Sequence, residues 1–460
     1  MSFPRYPAYK DSGVEWLGEV PEHWSVERFK LSVESCVNGV WGEEPGNGEN
    51  DVTCIRVADF DRLKLVAAEP NEPTIRSVSA RDIEQRSLCN EDLLIEKSGG
   101  GEKQPVGAVV LYTGSTPSVC SNFVALMRLA QSMNPSFWRY AHHAAYSLKV
   151  NTKSIKQTSG IQNLDQQQYL DEKAPFPPGE EQITIATFLD RETAKIDALI
   201  AEQQRLIELL QEKRQAVISH AVTKGLNPDA PMKDSGVEWL GEVPEHWEVR
   251  KLSQLCDGIG SGTTPKSDVP EFYEEEGIPW IVTGDLKDCL LETCSNHITV
   301  KAMAEHSALK LYDIGSVVVA MYGATIGKAA ILGMRATVNQ ACCVLPPGDQ
   351  VLGGFLLLFV LAARVHLISL ATGGGQPNIN QEVVRSLRIP LPPVADQQEI
   401  IQRVGASLET LDSVASFAAL QVEILQERRS ALISAAVTGQ IDVRGLVPEA
   451  RLHEHHPQDH

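Results

Sequence analysis

Two stretches of this 460-residue chain contain residue types that could support enzyme chemistry, but neither has the spacing that the chemistry needs. The sequence YGATIGKAA at 322–330 is one residue short of the phosphate-binding pattern GxxxxGK[ST], and Ala329 replaces the hydroxyl that would bind magnesium. A nuclease-like set can be assembled from Glu271, Asp285 and Lys287, yet such loosely spaced sets occur in most chains of this length. The Asn/Asp-Pro-Pro-aromatic motif of amino-methyltransferases does not occur. We therefore expect no catalytic residues.

Metal, redox and membrane functions are not indicated by the sequence either. The nine cysteines include no CxxC pair, which is typical of reduced cytoplasmic thiols. The pair His142–His143 and the C-terminal HEHHPQDH lack the context of a metal site. The start of the chain does not have the pattern of a signal peptide, and the longest apolar run, 351–363, is shorter than the roughly 18–20 residues of a membrane span. We therefore expect a cytoplasmic chain that binds no metal or cofactor.

Charge is unevenly distributed along the chain, whose formal net charge is -19. The 62 residues from Lys103 to Leu164 contain no Asp or Glu and six Lys or Arg, and the segment 148–163 is rich in residues that bond phosphate oxygens and base edges. A second acid-poor region, 314–381, ends in ATGGGQPNINQ, whose glycines permit close approach of a ligand. A solvated basic face and an ordinary turn are the alternatives to ligand-binding surfaces here.

An internal duplication organises the sequence. The segment KDSGVEWLGEVPEHW, which we call the Trp-rich repeat, occurs at 10–24 and again at 233–247. A second repeat of about fifty residues, beginning at 176 and at 391, aligns without a gap and shares a Pro-Pro pair and one glutamine, Gln182 or Gln397. The parts between these repeats are similar in length and differ in sequence. Two similar scaffolds that recognise two different targets would have this pattern.

Each second repeat is predicted to form a long helix. Pro177–Pro178 and Pro392–Pro393 provide helix starts, and apolar residues then follow a 3-4 spacing that predicts an antiparallel two-helix coiled coil. Arg214 and Arg429 interrupt the two seams at the same place, either to fix their register or as solvated residues. The predicted seam positions are Ile196, Ile200, Ile207, Leu210 and Val217 in the first helix and Leu411, Val422, Leu425 and Leu432 in the second.

Further apolar residues of these helices, including Leu199, Ile218 and Ile433, are predicted to lie off the seam, where they could bind a partner or pack on the chain's own domains. The parts between the repeats mix strand-like runs, such as 107–112 and 316–321, with helical stretches. We therefore predict an α+β (mixed α/β) fold class, with two globular domains separated by a long antiparallel two-helix coiled coil and a pseudo-twofold internal repeat.

The doubled arrangement of a Trp-rich repeat, a variable region and a helix that starts at Pro-Pro and ends in AVTKG or AVTGQ resembles the specificity (S) subunit of Type I restriction–modification systems. The resemblance extends from about Tyr9 to Gln440. The second copy departs from the family's pattern, because it has PPVADQQ in place of PP-x-x-EQ, but Gln397 is retained and we expect the helix start to be preserved. The resemblance implies a non-catalytic subunit whose variable regions are target recognition domains for the two halves of a bipartite, asymmetric DNA sequence.

The resemblance also implies a division of the chain and a set of partners. Target recognition domains at 1–176 and 227–390 alternate with helical regions at 177–226 and 391–445, and a disordered tail follows at 446–460. The helices would space the half-sites and dock two modification (M) subunits, which use S-adenosylmethionine, while restriction (R) subunits use ATP and magnesium. The expected ligand is double-stranded DNA. A coiled-coil scaffold without DNA binding and a self-sufficient endonuclease or methyltransferase are the alternatives.

Four segments of the two recognition domains are predicted to contact DNA, with lysines at phosphates and with amides and hydroxyls at bases. Because the net charge is -19, we expect the isolated chain to bind DNA weakly and to need positive surface from M subunits. The predicted residues of the first domain are Lys97, Ser98, Lys103, Lys149, Asn151, Lys153, Lys156, Gln157 and Gln162. Those of the second domain are Tyr322, Thr325, Lys328, Thr372, Gly374, Gln376 and Asn378.

Overall fold

The computed structural model describes residues 3–46, 48–158, 160–373 and 377–446, and these residues form two compact units. Unit 1 consists of Met1–Glu202 and Gln421–His460, and unit 2 consists of Gln203–Leu420. The predicted class of mixed helix and strand is confirmed. Both long helices begin in one unit and end in the other, so each unit contains helical segments from both halves of the chain.

Unit 1 is built around a six-stranded sheet that is covered by the helix Pro135–Ser147. Its strands, in spatial order, are Val33–Asn38, Val124–Leu129, Leu93–Glu96, Val109–Tyr112, Val66–Ala67 and Phe60–Asp61. Smaller sheets contain Ser118–Cys120, Asp51–Ile55 and Ile75–Ser77; Ser98–Gly99, Ile161–Leu164 and Ile155–Thr158; Lys173–Phe176 and Ser25–Arg28; and Tyr9–Asp11 and Glu19–Pro21. Two short helices are Ala80–Arg86 and Gln166–Leu170.

Unit 2 has a five-stranded central sheet that is covered by the helix Gly353–Ala362. Its strands, in spatial order, are Gly260–Ser261, Cys342–Leu345, Val317–Ala320, Ala329–Leu332 and Leu290–Leu291. Smaller sheets contain His297–Ile298, Tyr273–Ile281 and Thr337–Val338; Glu248–Lys251 and Arg388–Leu391; and Met232–Asp234 and Glu242–Pro244. The shorter helices are Val300–Glu305, Arg364–Ser369 and Gln381–Ser386.

The two central sheets share one topology despite their different sequences. In each sheet the first four strands pair antiparallel, and the fifth strand pairs parallel with the fourth. In both sheets the third strand is a short run of fully buried residues, Leu93–Glu96 in unit 1 and Val317–Ala320 in unit 2. This strand therefore has equivalent neighbours in the two units. The duplication has preserved the pattern of strand pairing while most side chains changed.

The shared glutamine of the second repeat joins each long helix to the helix that covers the sheet. Gln182 accepts a hydrogen bond from the backbone N–H of Asn134 at 3.0 Å and donates to the carbonyl of Pro177 at 3.0 Å. Gln397 accepts from the N–H of Leu352 at 2.8 Å and donates to the carbonyl of Pro392 at 2.9 Å. Both glutamines are buried. The prediction that the second helix start is preserved is confirmed.

The long helices are Gly179–Lys224 and Val394–Val437, and their predicted seam positions are buried or half-buried. Ile218 and Ile433, which were predicted to lie off the seam, are fully buried in the hydrophobic cores of units 2 and 1, so for these two residues the alternative of packing on the chain's own domains holds. At these ends the helix packs against a globular core, which buries a wider stripe than the narrow seam of a coiled coil. Leu199, which was also predicted to lie off the seam, is exposed.

The two seam arginines form equivalent ion pairs with an aspartate of the opposing helix segment. Within unit 1, Arg429 Nε donates to Asp197 at 2.8 Å, and the arginine side chain is only 4% exposed. Within unit 2, Arg214 lies 3.3 Å from Asp412, and this pair is more exposed. Because a buried ion pair tolerates few alternative positions of its partners, the Arg429–Asp197 contact specifies the helix register in unit 1.

Replacing Arg429 with Ala should lower the free energy of unfolding of unit 1 by about 2–3 kcal/mol, because Asp197 loses the partner of its partly buried carboxylate. Chemical denaturation provides the measurement. The neighbouring Arg428 is exposed, so Arg428→Ala serves as the matched control and should cost less than about 0.5 kcal/mol. Equal losses in the two variants would contradict the assignment of Arg429 to helix register.

Candidate nucleic-acid interface

The two segments predicted to contact DNA in unit 1 come together in one small sheet. Ser98–Gly99 pairs antiparallel with Ile161–Leu164, which in turn pairs with Ile155–Thr158. The Ser98 hydroxyl donates to Asn163 Oδ1 at 2.6 Å. The backbone N–H of Leu164 donates to the carbonyl of Lys97 at 2.8 Å. Residues that are distant in sequence therefore form one surface at the end of a central strand.

Unit 2 brings its two predicted segments together at the equivalent place. Tyr322 and Asn378 form an antiparallel bridge, and Asn378 forms a second bridge with Thr372. The backbone N–H of Ile379 donates to the carbonyl of Met321 at 2.9 Å. This bond corresponds to the one between Leu164 and Lys97 in unit 1, since both follow the third strand of the central sheet. Gly374 and Gln376, which were also predicted to contact DNA, lie outside the described residues.

Several predicted DNA contacts have exposed side chains. Thr325, in contrast, is half-buried, and its hydroxyl donates to the carbonyl of Tyr322 at 2.7 Å. Lys97 is also half-buried, and its ammonium donates to Asn38 Oδ1 at 3.1 Å. The exposed residues are Lys103, Lys149, Lys153, Lys156 and Gln157 in unit 1, and Tyr322, Lys328, Thr372 and Asn378 in unit 2.

Three of the predicted residues are buried, which corrects the sequence-based assignment of their side chains to a contact surface. Asn151 donates from Nδ2 to the carbonyl of Val106 at 2.6 Å. Gln162 Oε1 accepts a hydrogen bond from the backbone N–H of Val106 at 3.2 Å. Gly107 follows with φ +108°, and a Cβ there would lie 3.1 Å from Asn151. Asn151 and Gln162 therefore hold a turn, and Ser98 is buried against Asn163.

Ion pairs reduce the number of basic groups that the acid-free stretch of unit 1 presents. Arg139 pairs with Asp190, Arg128 lies 3.7 Å from Asp92, and Lys156 lies 2.7 Å from Asp165. Three lysines of this stretch have no ion pair among the described residues, namely Lys103, Lys149 and Lys153. In unit 2, Arg364 and Arg335 are paired with acids, whereas Lys328 forms no ion pair within the part of the chain that the structure describes.

The two units differ in the side chains beside these surfaces. In unit 1 a groove of about 350 Å³ is lined by Ser98, the half-exposed rings of Trp41 and Phe123, and Arg56. In unit 2 the residue that precedes the equivalent strand is Ala341, and polar Gln340 before it accepts a hydrogen bond from Thr264 at 2.6 Å. The side chains at this place are therefore aromatic in unit 1, whereas unit 2 has a small residue, Ala341, and a polar one, Gln340.

A buried carboxylate lies at the base of the unit 1 groove. Glu96 is 1% exposed, and Arg62 donates to it at 2.8 Å. Burial raises the pKa of Glu96, and Arg62 opposes this effect. Sequence reasoning missed Trp41 and Glu96, and Arg62 as the partner of Glu96, because strand pairing that the sequence does not reveal brings them to this place. The one available signal was that Glu96, a charged residue, directly follows the apolar run Leu93–Ile95.

The enzyme-like stretches of the sequence have structural roles. In the phosphate-loop-like segment, the turn Gly323–Thr325 leads into the strand Ala329–Leu332, whereas a phosphate loop leads into a helix. Asp285 Oδ2 accepts from the N–H of Val282 at 2.9 Å, and Glu271 pairs with Lys301. No group of three or more His, Cys, Asp or Glu side chains in the described ranges could hold a metal ion.

The histidine pair of unit 1 belongs to its core. His142 bonds the Tyr169 hydroxyl through Nδ1 at 2.8 Å and stacks on Phe29. Burial lowers the pKa of His142 to about 3 and that of His143 to about 4. Both imidazoles are therefore neutral at physiological pH. No helix among the described residues combines the length and the apolar character that crossing a membrane would require.

Comparisons with known proteins find similarity to specificity subunits of type I restriction enzymes. Residues 244–415 match the model of the Type I restriction modification DNA specificity domain. The MjaX specificity subunit of a type I restriction enzyme of Methanocaldococcus jannaschii is 23% identical over 93% of this chain and 96% of its own length. The MjaVIII specificity subunit of the same organism is 26% identical over 65% of this chain and 70% of its own length.

Two further matches agree with this family. The EcoBI specificity subunit of a type I restriction enzyme of Escherichia coli is 26% identical over 60% of this chain and 60% of its own length. A chain from a structure that describes complex assembly and conformational transition of the type I R-M system has a TM-score of 0.68. That match has 15% identity and covers 91% of this chain and 98% of the other, so it shows a shared fold alone. The resemblance predicted from the sequence is confirmed.

Asn151→Ala should lower the free energy of unfolding of unit 1 by about 1–3 kcal/mol, because the buried carbonyl of Val106 loses its donor. Lys153 lies on the same turn but is exposed, so Lys153→Ala is the matched control and should change stability by less than about 0.5 kcal/mol. Thermal or chemical unfolding of both variants distinguishes a supporting residue from a surface residue. A greater loss in Lys153→Ala would contradict this distinction.

Proposed function

We propose that this chain, which is similar to type I specificity subunits over most of its length, is the non-catalytic DNA sequence-recognition subunit of a Type I restriction–modification complex. The observation that carries the proposal is the pair of equivalent surfaces with different linings. A scaffold that keeps its strand pairing and changes its exposed side chains is suited to recognise two different DNA half-sites. The target is therefore bipartite and asymmetric.

Each unit has the groups that recognition of one half-site requires. In unit 1, the unpaired lysines bind phosphates, and the rings of Trp41 and Phe123 suit apolar base edges such as the thymine methyl group. In unit 2, Asn378 and Gln340 offer amides that suit the hydrogen-bonding edge of adenine. Asn151, Gln162 and Ser98 act indirectly, by holding the segments that present these groups.

The long helices set the spacing between the half-sites and dock two M subunits. Exposed apolar side chains of the helices outside the seam support this role, since they offer a partner a surface to bury. S-adenosylmethionine binds to the M subunits, and ATP and magnesium bind to the R subunits, while this chain binds no cofactor. The complex acts in the cytoplasm on double-stranded DNA. The exposed apolar side chains are Leu199, Leu206, Leu209, Val414, Phe417, Leu420 and Ile424.

A coiled-coil scaffold that does not bind DNA is the alternative from another class. Such a protein would use the same helices for assembly, and it would not retard DNA even together with its M partners. The exposed lysines of unit 1 that form no ion pair among the described residues favour the DNA-binding function, because two of them, Lys149 and Lys153, come shortly before the strand Ile155–Thr158 of the predicted surface. A catalytic function is disfavoured, because the enzyme-like motifs have structural roles.

Replacing residues 36–170 with the corresponding region of a different specificity subunit should change only one half of the methylated DNA sequence. Mapping of methylated adenines provides the measurement. The matched exchange is 259–385, which begins directly before the equivalent strand and ends in the equivalent helix of unit 2, and it should change only the other half. If either exchange changed both halves, the units would not recognise DNA independently.

Lys103→Ala, Lys149→Ala and Lys153→Ala should each weaken DNA binding by the complex with M. Each should also lower the slope of log affinity against log salt concentration by about 1, because one phosphate contact is lost. Lys195→Ala is the control, since this helix lysine already pairs with Glu192 at 2.8 Å. If none of the three variants Lys103→Ala, Lys149→Ala and Lys153→Ala changed the salt dependence of DNA binding, these lysines would not contact phosphates.

A further inference from the structure

The start of each long helix carries an acid that lies beside the Trp-rich repeat. In unit 1 this acid is Glu181, which accepts hydrogen bonds from the indole N–H of Trp24 at 2.8 Å and from the hydroxyl of Tyr6 at 3.2 Å. His23 Nε2 lies 2.6 Å from the same carboxylate, and Arg444 lies 3.7 Å from it. The Arg444 guanidinium also stacks on the Tyr6 ring at 4.7 Å. The site around Glu181 is therefore filled by an arginine and a tyrosine.

The equivalent site of unit 2 contains a cavity of about 450 Å³. Asp396 takes the place of Glu181, and His246 Nε2, at 3.3 Å, is the one polar partner of its side chain among the described residues. Glu399 and Arg403 also line the cavity and pair with each other at 2.7 Å, and Lys224 lies at its edge. Asp396 thus remains accessible, with 41% of its side chain exposed.

Chain connectivity explains why this cavity is open. In unit 1, two segments reach the site, one before the first Trp-rich repeat and one after the second long helix, and they supply Tyr6 and Arg444. In unit 2, one connection from Lys224 to Met232 replaces both segments. Asp229 occupies the position of Tyr6 when counted from the Trp-rich repeat, and that of Arg444 when counted from the helix. It is exposed and cannot supply a ring or a cation.

The indole of Trp247, the last residue of the second Trp-rich repeat, provides an independent indication of a missing partner. Trp247 is 2% exposed and lines the cavity. In the part of the chain that the structure describes, its Nε1–H forms no hydrogen bond, whereas the equivalent Trp24 donates to Glu181. Aspartate is shorter than glutamate by one methylene group, which accounts for the lost bond. The Trp247 N–H is not enclosed by protein atoms but faces the cavity, so a molecule bound there meets a hydrogen-bond donor that unit 2 itself leaves unused.

We propose that the cavity of unit 2 binds an arginine and an adjacent aromatic side chain of a partner polypeptide, in the way that Arg444 and Tyr6 fill the equivalent site of unit 1. The guanidinium pairs with Asp396 and lies over the aromatic ring, and a polar group of the partner accepts the Trp247 N–H. Unit 1 supplies these groups from its own chain and does not need the partner. The proposal is independent of DNA recognition.

The test uses the full chain labelled with 5-fluorotryptophan, whose seven tryptophans are resolved by fluorine NMR. The resonance of Trp247 is assigned with Trp247→Phe. Acetyl-arginyl-tyrosine amide is the probe, and acetyl-glutamyl-tyrosine amide is the control of opposite charge. We expect the first compound to shift the Trp247 resonance saturably and to leave that of Trp24 unchanged, because its site is already filled. Asp396→Asn should weaken this binding at least about tenfold.

A second variant tests the site without added ligand. Asp229→Arg places an arginine at the position that corresponds to Arg444, so it should occupy the cavity, raise the melting temperature by about 2–4 °C and abolish the shift caused by the dipeptide. The proposal would be overturned if the Trp247 resonance did not shift, if both dipeptides shifted it equally, or if Trp24 responded in the same way. Retention of the full shift in Asp396→Asn or Asp229→Arg would overturn it as well.

Discussion

Each unit of this protein depends on a helix end that belongs to the other half of the sequence. In unit 1, a Cβ at Gly439, just beyond the second long helix, would lie 2.3 Å from Pro21 of the first Trp-rich repeat. In unit 2, Gly225 at the end of the first long helix has the same role, since a Cβ there would lie 3.1 Å from Trp247. Both glycines have positive φ, which ends the helix at this contact. In each unit, the end of a long helix therefore packs directly against a Trp-rich repeat.

This constraint accounts for what the duplication has kept and what it has changed. Gln182 and Gln397 join the helix starts to the helices that cover the central sheets by equivalent hydrogen bonds in the two units. The surfaces beyond the third strand of each sheet are free of this constraint. Their side chains can therefore differ, with Phe123 in one unit and Ala341 in the other, while the strand order remains the same.

The sequence predicted the features that periodicity and repetition encode. The two long helices and the equivalence of the two halves of the chain could be predicted, because repeats align equivalent positions. Burial of single polar residues could not be predicted. Asn151 and Lys153 are both polar residues of the same turn, and the sequence does not show that the first is buried and the second exposed. The burial of Ile218 depends on the globular core at the helix end, and the place of Trp41 in the groove depends on strand pairing.

The formal net charge of -19 is an average over acidic and basic regions of the chain. Ion pairs neutralise several basic groups of the acid-free stretch, so the expected phosphate contacts depend on a few exposed lysines. The central claim is that one duplicated scaffold presents two different recognition surfaces. Mapping of methylated adenines in the host, with and without this gene, tests it most directly. The account predicts that the gene adds methylation at one bipartite sequence with two different halves and a fixed gap. Gene-dependent methylation of a symmetric sequence, or none at all, would contradict it.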